Sequence, residues 1–406
     1  MSGCRVCGGD VTTFLDLGQQ PLSDAFLLGP EQIESEFFYH LRVGSCRSCH
    51  MIQLRDEVPR ERMFHEEYPY RSSLSSVMRE HFATTARSLL ATELSGPDAF
   101  LIELGCNDGV LLGTVAEAGV RHLGVEPSGG VAEVARGRGL SVLTAFFEEK
   151  TARRVLEEHG RADVVYAANT FCHIPYLDSV FAGLDVLLTP DGVLVFEDPY
   201  LGDIVERGSF DQIYDEHFYL FSATSVASLA NRFGFELVDV VRLGVHGGEV
   251  RYTLARAGAR VPSAAVADLL AEETDRALHA PGTLEDFAKR VDRICDDLVG
   301  LLERLRDEGR RVVAYGATAK SATVTNRTGI GPDLVSTVYD STPEKQGRLT
   351  PGAHIPVSPA AEFTAPYPDY ALLFAWNHAD EIMQRESAFR EAGGRWISYV
   401  PDVRVM

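Results

Sequence analysis

Four of the seven cysteines fall within the first 49 residues as two pairs, Cys4-Arg5-Val6-Cys7 and Cys46-Arg47-Ser48-Cys49, with 38 residues between them. Each pair sits among turn-forming residues, where thiolates at C-x-x-C spacing converge on tetrahedral zinc. A redox C-x-x-C needs a strand-to-helix setting, which neither pair has. Between them lie only short strand-like runs, such as Phe38-Tyr39-His40-Leu41-Arg42-Val43. A segment so poor in periodic apolar residues has a weak core and needs a staple. The reading is a zinc-binding domain over residues 1–70, with Cys4, Cys7, Cys46 and Cys49 holding one structural Zn; His50 beside them is only a remote alternative ligand. Four thiolates leave no open position, so this metal would staple rather than catalyse.

Beyond residue 70 the pattern changes. Phe100–Leu104, Leu123–Val125, Val164–Ala167 and Val193–Phe196 read as buried strands separated by helical stretches, which implies a parallel sheet. Val238–Arg242 and Val250–Leu254 read as a hairpin closing this domain at residue 258. Residues 259–310 are mostly helical, and a second α/β block follows, with strands expected at Val312–Tyr315, Val335–Tyr339, Tyr370–Phe374 and Trp396–Tyr399. At 406 residues the chain has room for three domains, 1–70, 71–258 and 259–406, with an active site expected in the cleft between the two α/β sheets.

Charge and hydropathy limit the partners. Lys and Arg number 38 against 59 Asp and Glu, a formal charge of −21, which opposes bulk binding to nucleic acid or anionic membrane. No run of about 18 apolar residues suggests a membrane span, and the first residues carry no apolar signal region. The expectation is a cytoplasmic monomer acting on a small molecule.

The first strand of the middle block runs into Glu103-Leu104-Gly105-Cys106-Asn107-Asp108-Gly109, then a helix. Gly105 and Gly109 let the backbone turn sharply and approach a ligand. The dinucleotide fingerprint G-x-G-x-x-G is absent. Glu103, Asn107 and Asp108 suit an amine-bearing ligand better than a pyrophosphate. Glu126 ends the next strand, 23 residues after Glu103, where a carboxylate accepts ribose hydroxyls. Phe146 and Phe147 are placed to flank adenine or simply to pack. Asn169 lies at the carboxyl edge after the fourth strand. Over residues 80–258 this resembles the class I S-adenosylmethionine methyltransferases, an α/β Rossmann-like fold.

Tyr214-Asp215-Glu216-His217 gathers reactive side chains after the fifth strand. His217 has the intrinsic pKa of a general base, Glu216 suits orienting an imidazole or binding a substrate hydroxyl or amine, and Tyr214 can donate to an oxyanion. In the last block, Tyr315-Gly316-Ala317-Thr318-Ala319-Lys320 is a second strand–glycine loop–helix, with Lys320 at a natural diphosphate site and Asp340 ending the next strand. Without G-x-G-x-x-G or nicotinamide chemistry, sugar-nucleotide contact is expected there rather than NAD. His246, Arg348, Asn377 and His378 lie in loops and are weaker candidates for the same ligand.

In this order, the two C-x-x-C pairs, E-L-G-C-N-D-G, F-C-H-I-P, Y-D-E-H-F-Y and Y-G-A-x-A-K resemble the nucleotide-sugar C-methyltransferases of antibiotic deoxysugar pathways, along essentially the whole chain. The resemblance implies transfer of methyl from S-adenosylmethionine to a carbon beside the 4-keto group of a dTDP-4-keto-deoxysugar, C-3 above C-5. It implies His217 as catalytic base with Tyr214 and Glu216, His173 from F-C-H-I-P, and Tyr68, or else Tyr70, from the exit of the zinc domain. It also implies a C-terminal Rossmann-like domain that contributes to the sugar nucleotide. The family often has serine where Glu249 stands. A different small-molecule methyltransferase and a non-enzymatic zinc-headed binding module are the competing readings.

Overall fold

The apolar runs of the middle block pair as parallel strands, because both faces of each are buried beneath helices. In the computed structural model, which describes residues 3–66, 68 and 71–406, they form one seven-stranded sheet. Its order is Phe235–Leu243, Glu249–Arg256, Leu188–Pro199, Ala162–Ala168, Phe100–Leu104, Arg121–Val125 and Val142–Leu143. The last five are mutually parallel, and the expected hairpin adds antiparallel at one edge, pairing Val250 with Asp198. This is the Rossmann-like class I methyltransferase arrangement. Phe171 stacks on Phe196 at 4.8 Å and Phe196 on Tyr252 at 5.0 Å beneath it. Truncating such buried rings costs about 3–5 kcal/mol, so the loop holding Phe171 is firmly anchored.

The C-terminal block is a six-stranded sheet in the order Val357–Pro359, Val338–Asp340, Val312–Tyr315, Tyr370–Leu373, Arg395–Ser398 and Arg404–Val405, with only the last pair antiparallel. Val335–Tyr339 was expected as one strand, yet regular pairing begins only at Val338; Val335 is fully buried as core instead. The short strands Val357–Pro359 and Arg404–Val405 escaped the sequence reading, since three and two residues show no periodicity. The helix Pro281–Asp307 leads into this sheet, burying Leu284, Phe287, Val291, Ile294, Leu298, Leu302 and Leu305 on one face.

The N-terminal segment forms an antiparallel sheet of Val11–Pro21, Phe38–Cys46 and Ile52–Leu54, plus a strand from far downstream, Tyr219–Leu220. Leu15, Leu17, Tyr39, Leu41 and Val43 point inward at the two-residue period. Ile52 pairs with Leu220, Gln53 with Tyr219, and the Leu54 N–H donates to the Phe218 carbonyl at 2.8 Å. The residues directly after the Tyr214–His217 cluster are therefore part of the cysteine-bearing head.

The four cysteine thiols of the head meet at one point. Cys4 and Cys49 Sγ lie 3.6 Å apart and Cys7 and Cys46 Sγ 3.4 Å, all four within 4.8 Å of one another and none in a disulfide. The edge of a tetrahedron with Zn–S bonds of ~2.3 Å is ~3.8 Å, so the set fits zinc. The purified protein should carry about one zinc per chain. Cys46→Ser should lose it and speed hydrogen exchange at the Tyr219 and Leu220 amides as well as within the head. Unchanged exchange at those two amides would mean the strand pairing stands without the metal.

Candidate active site

Strands of the seven- and six-stranded sheets open at their carboxyl ends onto one shared cavity of about 420 Å³, closed on its third side by head residues. Carboxyl ends are where α/β sheets bind ligands, because the loops there are free of the sheet.

At the first wall, Gly105 takes φ +65°, and a Cβ there would collide with Thr170. Glu126, 5% exposed, faces the cavity from the end of the neighbouring strand. Its Oε2 accepts the Asn107 N–H and its Oε1 the Ser128 N–H, both at 2.9 Å. Burial pushes this carboxyl up, and the two amides oppose the shift. A carboxylate has about four lone-pair sites, so both oxygens retain room for ligand hydroxyls. Phe146, Phe147, Asn107 and Asn169 line the same wall, and the Arg60 guanidinium of the head lies 4.1 Å over the Phe146 ring.

Three expected members of this wall do not reach the cavity. Glu103 is buried within its strand, where burial and then the Glu126 and Asp108 charges drive its carboxyl well up. Asp108 is fully buried and paired with Arg138 at 3.3 Å. Gly109 starts the following helix at φ +79° and packs against Leu140. These residues hold the loop in shape, and a sequence pattern does not separate that duty from ligand contact.

The second wall carries the expected reaction cluster: Tyr68, His173, Tyr214, Glu216 and His217 all face the cavity. His217 Nδ1 lies 2.7 Å from the Gln212 carbonyl, which accepts only, so Nδ1 carries the proton and Nε2 the lone pair. The Tyr214 hydroxyl donates to that Nε2 at 2.7 Å. The Phe64, His173 and His217 rings stack, at 5.5 and 5.3 Å. Burial holds His217 well below the usual imidazole range, and neighbouring His173 adds to this. His173 itself is brought down to about 3 by burial. The Tyr68 hydroxyl donates to Glu216 Oε2 at 3.1 Å. Burial, and then the Asp24 and Asp215 charges, push the Glu216 carboxyl well up. Tyr70, the alternative to Tyr68, lies outside the described residues.

At the third wall, Lys320, His246, Asn377 and His378 line the cavity. Gly316 adopts φ +92°, with Ala375 only 2.7 Å from where a Cβ would stand. Lys320 is 8% exposed; its Nζ donates to the His246 carbonyl at 3.3 Å and lies 5.1 Å over the Trp376 ring. Asp340 accepts the Ala317 and Thr342 N–H groups, each at 2.7 Å, the arrangement seen at Glu126. Arg348 is not on the cavity. Three residues earlier, Lys345 is, with its Nζ 2.9 Å from the Ala317 carbonyl and 3.2 Å from Asp24 Oδ1. Arg348 was the expected cation of Lys345-Gln346-Gly347-Arg348, but the turn points Lys345 inward instead, since only the turn's path decides which one faces the cavity. The sequence reading also missed Asp24, Arg60, Phe64, Gln212 and Arg385, which line the cavity from segments without a local motif.

Comparison with known proteins bears on the whole chain. A model described as "Putative zinc binding domain" matches residues 4–64, "Methyltransferase domain" residues 78–240, and "C-methyltransferase C-terminal domain" residues 244–401. The chain is 34% identical to the C-methyltransferase NovU of Streptomyces niveus over 408 residues, covering 99% of this chain and 96% of the relative. Among solved structures, the PH0226 protein of Pyrococcus horikoshii OT3 matches at TM-score 0.38 and 16% identity, over 48% of this chain and 98% of that one. Magnesium protoporphyrin IX methyltransferase of Synechocystis PCC 6803 matches at TM-score 0.33 and 13% identity, over 44% and 79%. Among the described residues no helix is long and apolar enough to cross a membrane.

His173 and His246 are both brought to about 3 by burial, His246 also by Lys320. An unfolded histidine titrates near 6.5. Between these values the unfolded chain binds more protons, so this contribution to stability is complete above about pH 6.5 and is lost as pH falls toward 3. Calorimetric melting from pH 8 to 4 should show a steeper acid-side fall for wild type than for His173→Asn. Parallel curves would mean that His173 takes up its proton in the fold as it does in the unfolded chain.

Proposed function

The chain belongs to the C-methyltransferases, S-adenosylmethionine-dependent enzymes with a zinc-binding head, and from that premise we propose that it methylates C-3 of a dTDP-4-keto-deoxysugar through an enolate, in antibiotic deoxysugar biosynthesis. The observation that carries the reading is the single cavity joining the Glu126 wall, the His217 lone pair and the Lys320 wall. A carbon beside a ketone becomes a nucleophile only after losing a proton, so the reaction needs a base, an oxyanion donor and an aligned methyl donor together.

Bound S-adenosylmethionine supplies the electrophilic methyl. Glu126 would take its ribose hydroxyls, Phe146 and Phe147 would flank its adenine, and Gly105, Asn107 and Asn169 would shape its bed. At the opposite wall, Lys320 at the start of the helix Ala319–Thr328 meets the substrate diphosphate. The repetition of the Glu126 arrangement at Asp340 supports a second nucleoside there. His246, Asn377 and His378 border that end.

His217 Nε2 removes the proton next to the ketone. The gate is the Tyr214 hydroxyl, which occupies that lone pair at rest. When Nε2 takes the substrate proton it becomes a donor, and the Tyr214 proton is released to turn toward the new enolate oxygen. Tyr68 and His173 border the same space. Burial keeps His217 unprotonated near neutrality, and the negative charge growing on the substrate raises its proton affinity as transfer proceeds. Glu216 positions the sugar through a hydroxyl or amine.

Incubation with S-adenosylmethionine and a dTDP-4-keto-6-deoxysugar should yield S-adenosylhomocysteine and a new methyl at C-3 by NMR; a methyl at C-5 would correct the position, and no product from any such sugar would refute the reading. His217→Asn keeps the size but removes the base. It should bind both ligands, lose methyl transfer, and lose exchange of the substrate α-proton with deuterated solvent when S-adenosylhomocysteine is bound. If wild type exchanges and this variant matches it, another residue is the base, with His173 next.

Glu126→Ala should weaken the cofactor by roughly 1.5–3 kcal/mol, the worth of charge-assisted hydrogen bonds, or about tenfold or more in Kd. Calorimetric titration with S-adenosylhomocysteine reads this directly, and unchanged affinity would remove Glu126 from the site.

A further inference from the structure

Glu216 sits where three separate parts of the chain bring charge together. Asp24 comes from the head, Asp215 from Glu216's own segment, and Lys345 from the C-terminal sheet's loops. Asp24, Glu216 and Lys345 all face the cavity. The Lys345 ammonium is buried, 3.2 Å from Asp24 Oδ1, 2.9 Å from the Ala317 carbonyl and 4.9 Å from the Phe26 ring. Asp215 is tied down separately, its Oδ1 accepting the Ser23 N–H at 3.0 Å. Among the described residues, the Tyr68 hydroxyl, which donates to it, and Tyr39, Tyr214 and Cys172 also face Glu216. None of these carries positive charge.

We propose that Lys345 and Asp24 form a charge pair that sets the proton occupancy of Glu216, which makes Lys345 a positioning residue for the methylation rather than a substrate ligand. The proposal rests on the functional reading above only for its kinetic half. The physical basis is that like charge drives a buried carboxyl toward its neutral form and opposite charge drives it toward its ionised form. Asp24 and Asp215 act in the first direction on Glu216, and Lys345 in the second. The state matters chemically: an ionised Glu216 can only accept from the substrate, whereas a neutral one can donate. Lys345 also couples the head to the C-terminal sheet beside the reaction cluster, so a displaced head would alter this balance.

The test uses the full-length zinc-loaded protein with 13C-labelled glutamate side chains, the Glu216 signal being assigned by its loss in Glu216→Gln. Lys345→Met should move the Glu216 titration midpoint to higher pH, Asp24→Asn should move it lower, and the double variant should return toward wild type. Lys345→Arg, which keeps the charge, should restore it. In turnover, the limb of the kcat/KM pH profile that is lost in Glu216→Gln should move in the same directions. Should Lys345→Met misfold, Asp24→Asn alone still tests the sign. A Glu216 midpoint that stays fixed in Lys345→Met and Asp24→Asn overturns the proposal, as does a change confined to the KM for the sugar nucleotide. Because the titration needs no turnover, its failure is distinct from failure to find a methylated product.

Discussion

The strand pairing between Ile52–Leu54 and Tyr219–Leu220 is the constraint on which the rest of the site depends. It starts two residues after His217 and makes the segment that follows the Tyr214–His217 cluster an edge of the head's own sheet. The same segment is gripped from the other sides. Thr323 donates to the Ile213 carbonyl at 2.8 Å, and Trp376 and Tyr399 both donate to Asp211 Oδ2, at 2.6 and 2.7 Å. Gln212 donates to the His246 carbonyl at 2.6 Å. Residues 211–220 are thus held by the head and by segments of both α/β blocks, which gives the imidazole of His217 a defined direction. A staple in a weak-cored head therefore bears on the placement of His217 without touching it.

The buried acids of this protein are held in different ways. Glu197 and Asp198 are neighbours in one strand with opposite fates. Glu197 lies 2.6 Å from both His81 and Arg251, and these partners overcome its burial to bring its carboxyl down. Asp198 points to the other face, where Cys172 supplies its hydrogen bonds, and burial pushes it up to about 8. A two-residue side-chain period separates them, and nothing else does. Glu126 and Asp340 are stabilised a third way, by paired backbone N–H groups, which leaves their outward lone pairs for ligand. In a chain with formal charge −21, these two cavity acids are held by amides rather than by cations.

Much was legible beforehand because it is encoded locally. The strand–glycine loop–helix units at Gly105 and Gly316, the C-x-x-C pairs and the Tyr214–His217 cluster are written in contiguous residues, and each reflects a backbone or ligand-geometry need that allows few residue types. The acid at the end of each second strand was legible for the same reason. What escaped were contributions by single residues from unrelated loops, such as Asp24, Arg60 and Lys345. Glu103, Asp108 and Gly109 were misplaced, because a residue that shapes a loop and one that contacts a ligand look alike in sequence.

The sequence by itself therefore determined the α/β class, the metal-binding head, the two glycine loops and the make-up of the Tyr214–His217 cluster, since hydrophobic period and motif spacing are local quantities. Only the tertiary structure decided that Tyr219–Leu220 joins the head, that Tyr214 occupies the His217 lone pair, and that Lys345 rather than Arg348 enters the cavity. The reason is physical. Which donor meets which acceptor, and which cation loses its water, depends on contacts between segments tens to hundreds of residues apart, and no local preference carries that information.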